Sequence, residues 1–198
     1  MAELEAFRVA AWDTPLRVNV HRASGRYHRV GSSATQYFCL HPLTPWAEYL
    51  RRHDLRDEEA ITPVRLRMWA LKVSAEGIAR IDFQSAGDWG LRAEDLVSDD
   101  HRACQDIADE LRADPAAPKT IEVPSAALPG TRNLVVFGER VMIPYGATPI
   151  SEIDVPSVVL AERARPPAEA VDLVRYRGME HEEFAAWSAG KRYRFGGA

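Results

Sequence analysis

Cysteine is scarce in this sequence, and no apolar run is long. The 198 residues include two cysteines, Cys39 and Cys104, each within an apolar segment. We expect both to be buried free thiols in a reducing compartment, because a lasting disulfide needs an oxidising one. The opening MAELEAF lacks the basic and apolar regions of a signal peptide, and no run reaches membrane-spanning length. These absences predict a cytoplasmic protein with no membrane contact.

Several motifs that mark catalytic sites are also missing. The sequence has no Cys-x-x-Cys or His-x-x-x-His, and His41 and His53 stand twelve positions apart, so no metal site is predicted. It lacks Gly-x-x-x-x-Gly-Lys-Ser/Thr and Gly-x-Gly-x-x-Gly, which excludes phosphate-binding loops of those kinds. The absence of Gly-x-Ser-x-Gly counts against an α/β-hydrolase.

Positive charge is not concentrated on one segment. The formal net charge is −4, and the nearest approach to a basic cluster is an arginine-rich stretch at residues 17–29. A general nucleic-acid surface needs clustered Lys and Arg, so we expect no direct nucleic-acid binding. The basic residues are mostly arginine, whose planar guanidinium favours bidentate binding of phosphate or carboxylate.

The length of the chain suits one domain with an extension. We predict a domain at residues 1–165 and a helical extension with a tail at residues 166–198.

The pattern of apolar residues predicts an α+β fold, because strands and helices alternate irregularly rather than as repeated βαβ units. The predicted strands are 6–10, 35–40, 63–73, 77–83, 119–125, 133–138, 140–143 and 154–163, and the predicted helices are 41–54, 98–115 and 178–190. We expect strand 77–83 to pair with strand 63–73. In strand 63–73, the alternation predicts that Val64, Leu66, Met68 and Ala70 face inward and that Arg65, Arg67 and Trp69 face outward.

The first helix has a recognisable start. Thr44 is the predicted N-cap and Pro45 the first helical residue. Glu48 then falls in the first turn. Spacings of three and four residues predict an inward face made of Trp46, Tyr49, Leu50 and His53. For the second helix, Ser98, Asp99 or Asp100 is the expected cap.

Four side chains stand out for chemistry, although each has an ordinary structural explanation. Arg26 suits a solvated loop, since arginines are mostly exposed. Acidic residues favour the start of a helix, where Glu48 lies. Tyr37 fits a strand core, and Ser125 follows Pro124 as a turn residue would. No one of them indicates a function by itself.

Their order along the chain resembles the RES domain family, which is named for its arginine, glutamate and serine. The resemblance covers residues 7–145. It is carried by FRV at 7–9, SGRYHR at 24–29, TQYFCLHPLTPWAE at 35–48, DDHRACQDIADEL at 99–111 and VPSAALPGTRNLVVF at 123–137. The segment from Tyr37 to Glu48 and the Val-Pro-Ser-Ala segment at 123–126 are its specific parts.

This resemblance implies a fold like that of the ADP-ribosyltransferases, with mixed or antiparallel sheets and flanking helices. It implies a toxin that degrades NAD and that an Xre-type antitoxin holds in check. Arg8, Arg26, Tyr37, Glu48 and Ser125 would line the NAD cleft, with Glu48, Arg26 and Tyr37 as the catalytic residues. NAD would be the substrate, with inorganic phosphate as a candidate co-substrate, and no cofactor is implied.

The chemistry of NAD suits these residue types. A guanidinium fork matches the paired oxygens of the diphosphate, and the Tyr37 ring offers a face to the cationic nicotinamide. The Glu48 carboxylate would stabilise the positive charge that develops on the ribose, and the Ser125 hydroxyl would hydrogen-bond ribose or nicotinamide.

Some positions depart from the family pattern and leave alternatives open. The usual Gly-Gly-Arg-Trp-Asn is Ser24-Gly25-Arg26-Tyr27-His28 here. Val9 stands where some members have tyrosine, and Ala103 or Arg102 where some have a hydroxyl residue. Water, phosphate or a protein side chain are all possible acceptors, giving a glycohydrolase, a phosphorylase or an ADP-ribosyltransferase. A non-catalytic binding module of the same fold is a further alternative.

Overall fold

A seven-stranded mixed sheet forms the centre of the molecule. The computed structural model describes residues 3–10, 15–16, 20–74, 77–138, 140–143, 146–149 and 159–195. The strands of the large sheet are β1 (Glu3–Ala10), β2 (Thr35–Cys39), β3 (Leu66–Ser74), β4 (Ile78–Arg80), β5 (Thr120–Pro124), β6 (Arg132–Phe137) and β9 (Val159–Ala164). Their order is β4-β5-β6-β2-β1-β3-β9, with β4 and β5 parallel and the other described pairs antiparallel. Two further strands, β7 (Arg140–Ile143) and β8 (Gly146–Pro149), pair with each other.

Five α-helices and two short 3₁₀ helices accompany the sheets in the described part of the chain. The helices are α1 (Thr44–His53), α2 (Glu58–Ile61), α3 (Arg102–Ala113), α4 (Ala170–Leu173) and α5 (Glu182–Ser188), and the 3₁₀ helices are Ala86–Trp89 and Ala93–Leu96. The prediction of an α+β fold with mixed and antiparallel strands and flanking helices is confirmed.

Both faces of the central strands are buried. On β6, Val135 and Phe137 pack into a cluster with the apolar side of α3, while Leu134 and Val136 point into a second cluster with β1 and β3. This burial explains why β6 reads as a continuous apolar run rather than as an alternating one. A third cluster joins α1 to the C-terminal part of the chain through Leu50, Ala127, Leu128, Ala170, Val174 and Tyr176, among others.

Two predictions about the third and fourth strands are wrong. Leu66 is buried and Arg65 and Arg67 are exposed, as predicted. Trp69, however, is buried on the same side of β3 as Leu71 and Val73, whereas Met68 and Ala70 are half-buried. The large apolar surface of the indole outweighs the apolar residues on the alternate positions. Strand β4 pairs with β5 instead of β3, because β1 and β9 already occupy both edges of β3.

The helix starts also differ from the predictions. Leu43 is the N-cap residue of α1, and Thr44 lies inside the helix with its hydroxyl donating to Thr131 Oγ1 at 2.9 Å. The first turn therefore contains no acidic residue, and Glu48 lies beyond it. On the same helix, His53 is exposed rather than inward-facing.

The second of the predicted helices, α3, begins after His101 and not after a Ser or Asp cap.

Both cysteines are buried free thiols, as predicted. No described helix is both long enough and apolar enough to pass through a membrane. Residues 154–158 of the predicted strand 154–163 lie outside the described residues, and β9 covers the remainder. The division into residues 1–165 and 166–198 stays a prediction.

Gly130 ends the loop between β5 and β6 in a conformation that favours glycine. Its φ is +84°, and a Cβ there would lie 2.8 Å from Tyr193 Cε1 and 2.9 Å from Phe195 Cβ. The end of the chain therefore packs directly on this loop. Gly178 has a similar φ of +80°, but a Cβ there would meet nothing within 4 Å.

Gly130→Ala should lower the free energy of unfolding by more than Gly178→Ala. Both substitutions incur the left-handed backbone cost of roughly 1–2 kcal/mol, but the first also forces Tyr193 and Phe195 to move. Urea denaturation of the two variants measures the difference. Equal losses in both variants would show that the end of the chain does not pack on Gly130.

Candidate active site

Glu48 is held in place by hydrogen bonds from two other elements. Ser125 Oγ donates to Glu48 Oε1 at 3.0 Å, and Asn133 Nδ2 donates to the same oxygen at 2.8 Å. The Glu48 side chain comes from α1, Ser125 follows β5, and Asn133 lies on β6. Within the described ranges, Oε2 accepts no hydrogen bond. One carboxylate oxygen is thus fixed, while the other is available to a substrate.

Ser125 is oriented by its own loop. Its side chain is fully buried, and Oγ accepts from the backbone N–H groups of Ala127 at 3.3 Å and Leu128 at 3.1 Å. A hydroxyl has one donor hydrogen and two acceptor lone pairs. Because both lone pairs face amides, the hydrogen points to Glu48.

Asn133 has a second polar atom at the site. Its Oδ1 is buried and has no hydrogen-bond partner among the described residues. Exchanging the amide oxygen and nitrogen would bring Oδ1 against the Glu48 carboxylate, so the orientation with Nδ2 towards Glu48 is favoured. A buried acceptor without a donor carries a desolvation cost, which the hydrogen bond from Nδ2 to Glu48 helps to offset.

Tyr37 is fixed by the loop at residues 25–28. Its hydroxyl accepts from the Tyr27 N–H at 3.1 Å and lies 2.7 Å from His28 Nδ1. His28 Nε2 lies 3.0 Å from the carbonyl of Ala23 and must carry the hydrogen there. In the neutral ring, Nδ1 is then the acceptor, and Tyr37 donates to it. Burial raises the pKa of the Tyr37 hydroxyl well above its usual value, so it stays a neutral phenol.

Arg26 joins this loop to the turn before α3. Its guanidinium donates to the carbonyls of Asp95 at 3.2 Å and Ser98 at 2.6 Å. Gln105 of α3 also holds this loop, because its side-chain amide donates to the Gly25 carbonyl at 2.8 Å. Gly25 is needed because a Cβ there would lie 2.2 Å from the His28 ring.

Arg8 lies on β1, whose residue Phe7 pairs with Cys39 of β2. It donates to the carbonyl of Pro15 at 2.6 Å and to Gln36 Oε1 at 3.0 Å. Burial raises the pKa of the Cys39 thiol, the nearby Glu48 charge acts in the same direction, and Arg8 opposes both. Arg8 and Glu48 are thus both close enough to Cys39 to affect it.

Arginine side chains contact the Asp99 carboxylate near Glu48. Arg51 of α1 forms an ion pair with Asp99, and Arg175 lies 3.2 Å from the same carboxylate. Burial lowers the pKa of His101 to about 4, with smaller contributions in the same direction from Arg26, Arg177 and Arg51. The positive potential of this region suits an anionic ligand.

The predicted site residues Arg26, Tyr37, Glu48 and Ser125 therefore lie in one region. Glu48 contacts Ser125 directly, and the charges of Arg26 and Glu48 both act on Tyr37. Nothing in the structure tests their assigned roles. No group of three or more His, Cys, Asp or Glu side chains in the described ranges is arranged to hold a metal ion.

Sequence reasoning did not identify Asn133, Arg51 or His28 as parts of the site. Asn133 interrupts the start of an apolar strand, which is a usable signal for a side chain with a partner. Arg51 follows Glu48 by three residues, so both lie on one side of α1. The role of His28 depends on contacts from a distant strand and leaves no local signal.

Comparison with known proteins gives three findings. A family model described as RES domain matches residues 6–149. A Mycobacterium tuberculosis (strain ATCC 25618 / H37Rv) protein named "Probable NAD(+) phosphorylase" is 34% identical over 116 residues, which are 59% of this chain and 54% of that protein. The chain thus spans about half the length of this curated relative. The crystal structure of the M. tuberculosis MbcT–MbcA toxin–antitoxin complex has a chain with a TM-score of 0.60 and 16% identity, covering 87% of this chain and 89% of that one.

Two histidines, the buried His181 and the half-buried His101, should make the stability depend on pH. Burial lowers the pKa of both His101 and His181 to about 4, from an ordinary value of 6.5. Below pH 6.5 the unfolded chain binds protons that the folded chain does not, so the free energy of unfolding falls as the pH falls from 6.5 towards 4. For His181 alone the loss between pH 7 and 5 is on the order of 2 kcal/mol.

Urea denaturation at pH 7 and pH 5 checks this prediction. His181→Gln should show a smaller decrease than the wild type, since its side chain does not titrate. Equal pH dependence in the two proteins would contradict the assignment. The lowered pKa values of the carboxyl groups, such as Asp99, affect stability below this window.

Proposed function

The chain belongs to the RES domain family, and from that membership we propose that it cleaves the bond between nicotinamide and ribose in NAD. The family resemblance recognised in the sequence is confirmed by this match. The curated relative that is named as an NAD(+) phosphorylase supports the activity. We further propose that the protein acts as the toxin of a toxin–antitoxin pair.

The arrangement of Glu48 is the observation that carries the proposal. A carboxylate with one oxygen fixed by Ser125 and Asn133 and the other unoccupied suits a reaction in which positive charge develops nearby. Fixed dipoles keep the carboxylate in place before the reaction begins, so little reorganisation is needed as the bond breaks.

The reaction starts with the C–N bond between the ribose and the nicotinamide ring. Both electrons of this bond leave with nicotinamide, which loses its positive charge, and the ribose carbon becomes oxocarbenium-like. Glu48 stabilises that charge and accepts hydrogen bonds from the ribose hydroxyls. An oxygen of the acceptor then bonds to the ribose carbon through a lone pair. Phosphate can attack through an oxygen that carries no proton at neutral pH, so no base is needed for this step.

The other residues bind and orient NAD. The neutral Tyr37 ring is fixed at its hydroxyl by His28 and Tyr27 and offers a flat face to the cationic nicotinamide. Arg26 and Arg8 are the proposed partners of the diphosphate, and Ser125 and Asn133 position Glu48.

Inorganic phosphate is the acceptor that we propose. Arg26, Arg51 and Arg175, together with Arg177, create positive potential beside Glu48. Such a potential would draw a phosphate towards NAD through long-range charge, since Arg51 and Arg175 themselves donate to Asp99 and to backbone carbonyls. The printed name of the curated relative agrees with phosphorolysis.

A protein antitoxin is the proposed partner. The solved structure with the same fold is a toxin–antitoxin complex, and the family leads us to propose an Xre-type antitoxin. The substrate is an intracellular metabolite, so we propose that the protein acts in the cytoplasm, without direct nucleic-acid binding or membrane contact.

Glu48→Gln should keep the fold and lose most of the turnover. The Gln oxygen can still accept the hydrogen bonds from Ser125 and Asn133, so the loss reflects the missing charge. We expect kcat to fall by at least about a hundredfold, the size typical of one electrostatic group. Thermal unfolding controls for stability, and full activity in the variant would exclude Glu48 as the catalytic residue.

Incubation of the purified protein with NAD, with and without inorganic phosphate, tests the reaction. We expect nicotinamide and a phosphorylated ADP-ribose in equal amounts, and both only when phosphate is present. Nicotinamide with plain ADP-ribose in both samples would indicate a glycohydrolase. Intact NAD in both would overturn the proposal and favour a protein-modifying transferase or a binding module.

Arg26→Lys should weaken NAD binding. A Lys ammonium is a point charge and cannot reproduce the two-pronged geometry of guanidinium. We expect a higher KM for NAD with a smaller change in kcat. Steady-state kinetics measure both, and an unchanged KM would remove Arg26 from the binding residues.

A further inference from the structure

The loop that follows β5 carries the hydroxyl that orients Glu48. We call residues 125–131 the Ser125 loop and residues 174–195 the C-terminal segment. The family model ends at residue 149, so the C-terminal segment is outside it. Yet this segment contacts the Ser125 loop along its length.

Three successive carbonyls of the Ser125 loop accept hydrogen bonds. The carbonyl of Ser125 lies 2.9 Å from His181 Nε2, that of Ala126 accepts from Arg51 at 3.0 Å, and that of Ala127 accepts from the Arg175 N–H at 2.9 Å. Two of these three donors come from the C-terminal segment. The orientation of the peptide groups beside Ser125 Oγ thus depends on residues far away in the sequence.

The other end of the loop is held by the same segment. Glu183 accepts from the Gly130 N–H at 2.8 Å and pairs with Arg132 at 2.8 Å. Glu183 is buried, and its two partners lie on either side of Thr131. The loop is therefore fixed at both ends.

The contacts of His181 make its ring a hydrogen-bond donor to the Ser125 carbonyl. Its ring is 4% exposed, and Nδ1 accepts from the Phe184 N–H at 3.2 Å, at the start of α5. In the neutral ring, Nε2 then carries the hydrogen and donates to the Ser125 carbonyl. One side chain thus caps a helix and ties that helix to the residue that orients Glu48.

We propose that His181 is a positioning residue for the Ser125–Glu48 pair, which makes the C-terminal segment part of the catalytic unit. His181 does not touch the substrate. It acts by holding the Ser125 peptide, so that Oγ keeps its direction towards Glu48 Oε1. This inference rests on the proposed NAD cleavage.

The His181 imidazole makes two hydrogen bonds, one with the Phe184 N–H and one with the Ser125 carbonyl, and two substitutions each keep only one of them. Asn at position 181 keeps an acceptor near the backbone and remains a good N-cap for α5, but it is too short to reach Ser125. Gln can place its amide N–H near the position of Nε2 and keep the bond to Ser125, but it is a poor cap. The pair forms a matched test.

His181→Asn should lower kcat by about tenfold or more, because small displacements of a catalytic group are costly, and should change the KM for NAD by less than about twofold. His181→Gln should keep kcat within a fewfold of the wild type. The melting temperatures of both variants are measured beside the kinetics. Loss of kcat that follows the melting temperature, or equal kcat in the two variants, would overturn the proposal.

Hydrogen exchange gives a readout that needs no turnover. In His181→Asn, the amides of Ala127 and Leu128, which donate to Ser125 Oγ, should exchange faster, while the Phe184 amide stays protected. His181→Gln should show the reverse. If the wild type leaves NAD intact, the proposed function fails, and the exchange pattern still decides whether His181 holds the loop. Unchanged exchange at Leu128 in His181→Asn would overturn the positioning role.

Discussion

The site depends on the convergence of two neutral donors on one oxygen of the Glu48 carboxylate. Ser125 and Asn133 come from the two ends of the β5–β6 connection, and Glu48 comes from a helix that packs beside it. A half-buried carboxylate is costly unless hydrogen bonds compensate for its lost hydration. The positions of β5, β6 and α1 relative to one another are therefore constrained by this one group. The apolar cluster around Leu50 and Leu128 also packs α1 on the loop between β5 and β6.

A large part of this arrangement could be predicted from the sequence, because the signals are local. β1, β2, α1 and β6 have clear apolar patterns, and the family motifs indicated Glu48 and Ser125. The failures concern choices that only packing decides. The side of β3 that is buried depends on the size of Trp69, and the partner of β4 depends on which strand edges are already occupied. Thr44 has the chemistry of a cap, but Thr131 across the loop binds its hydroxyl instead.

The departures from the family pattern at residues 27 and 28 both lie inside the packed structure. Tyr27 lies in the core beside α3 at 1% exposure. His28 stacks on His21, with ring centroids 3.5 Å apart, and accepts from the Tyr37 hydroxyl. Its ring fills the space that a side chain at position 25 would need, so Gly25 and His28 depend on each other. His28 thus brings contacts of its own, whereas the buried Tyr27 hydroxyl has no hydrogen-bond partner among the described residues.

The long sequence separation within the site has a consequence for synthesis. Glu48 meets partners 77 and 85 residues later, and the Ser125 carbonyl meets a donor 56 residues after that serine. A growing chain that has reached Asn133 still lacks His181 and Glu183. At typical rates of translation the 62 residues from Asn133 to Phe195 take roughly 3–12 s to add. In a nascent chain the Ser125 loop would therefore lack its contacts with His181 and Glu183 for this time, so that the site proposed to cleave NAD would be completed late in synthesis.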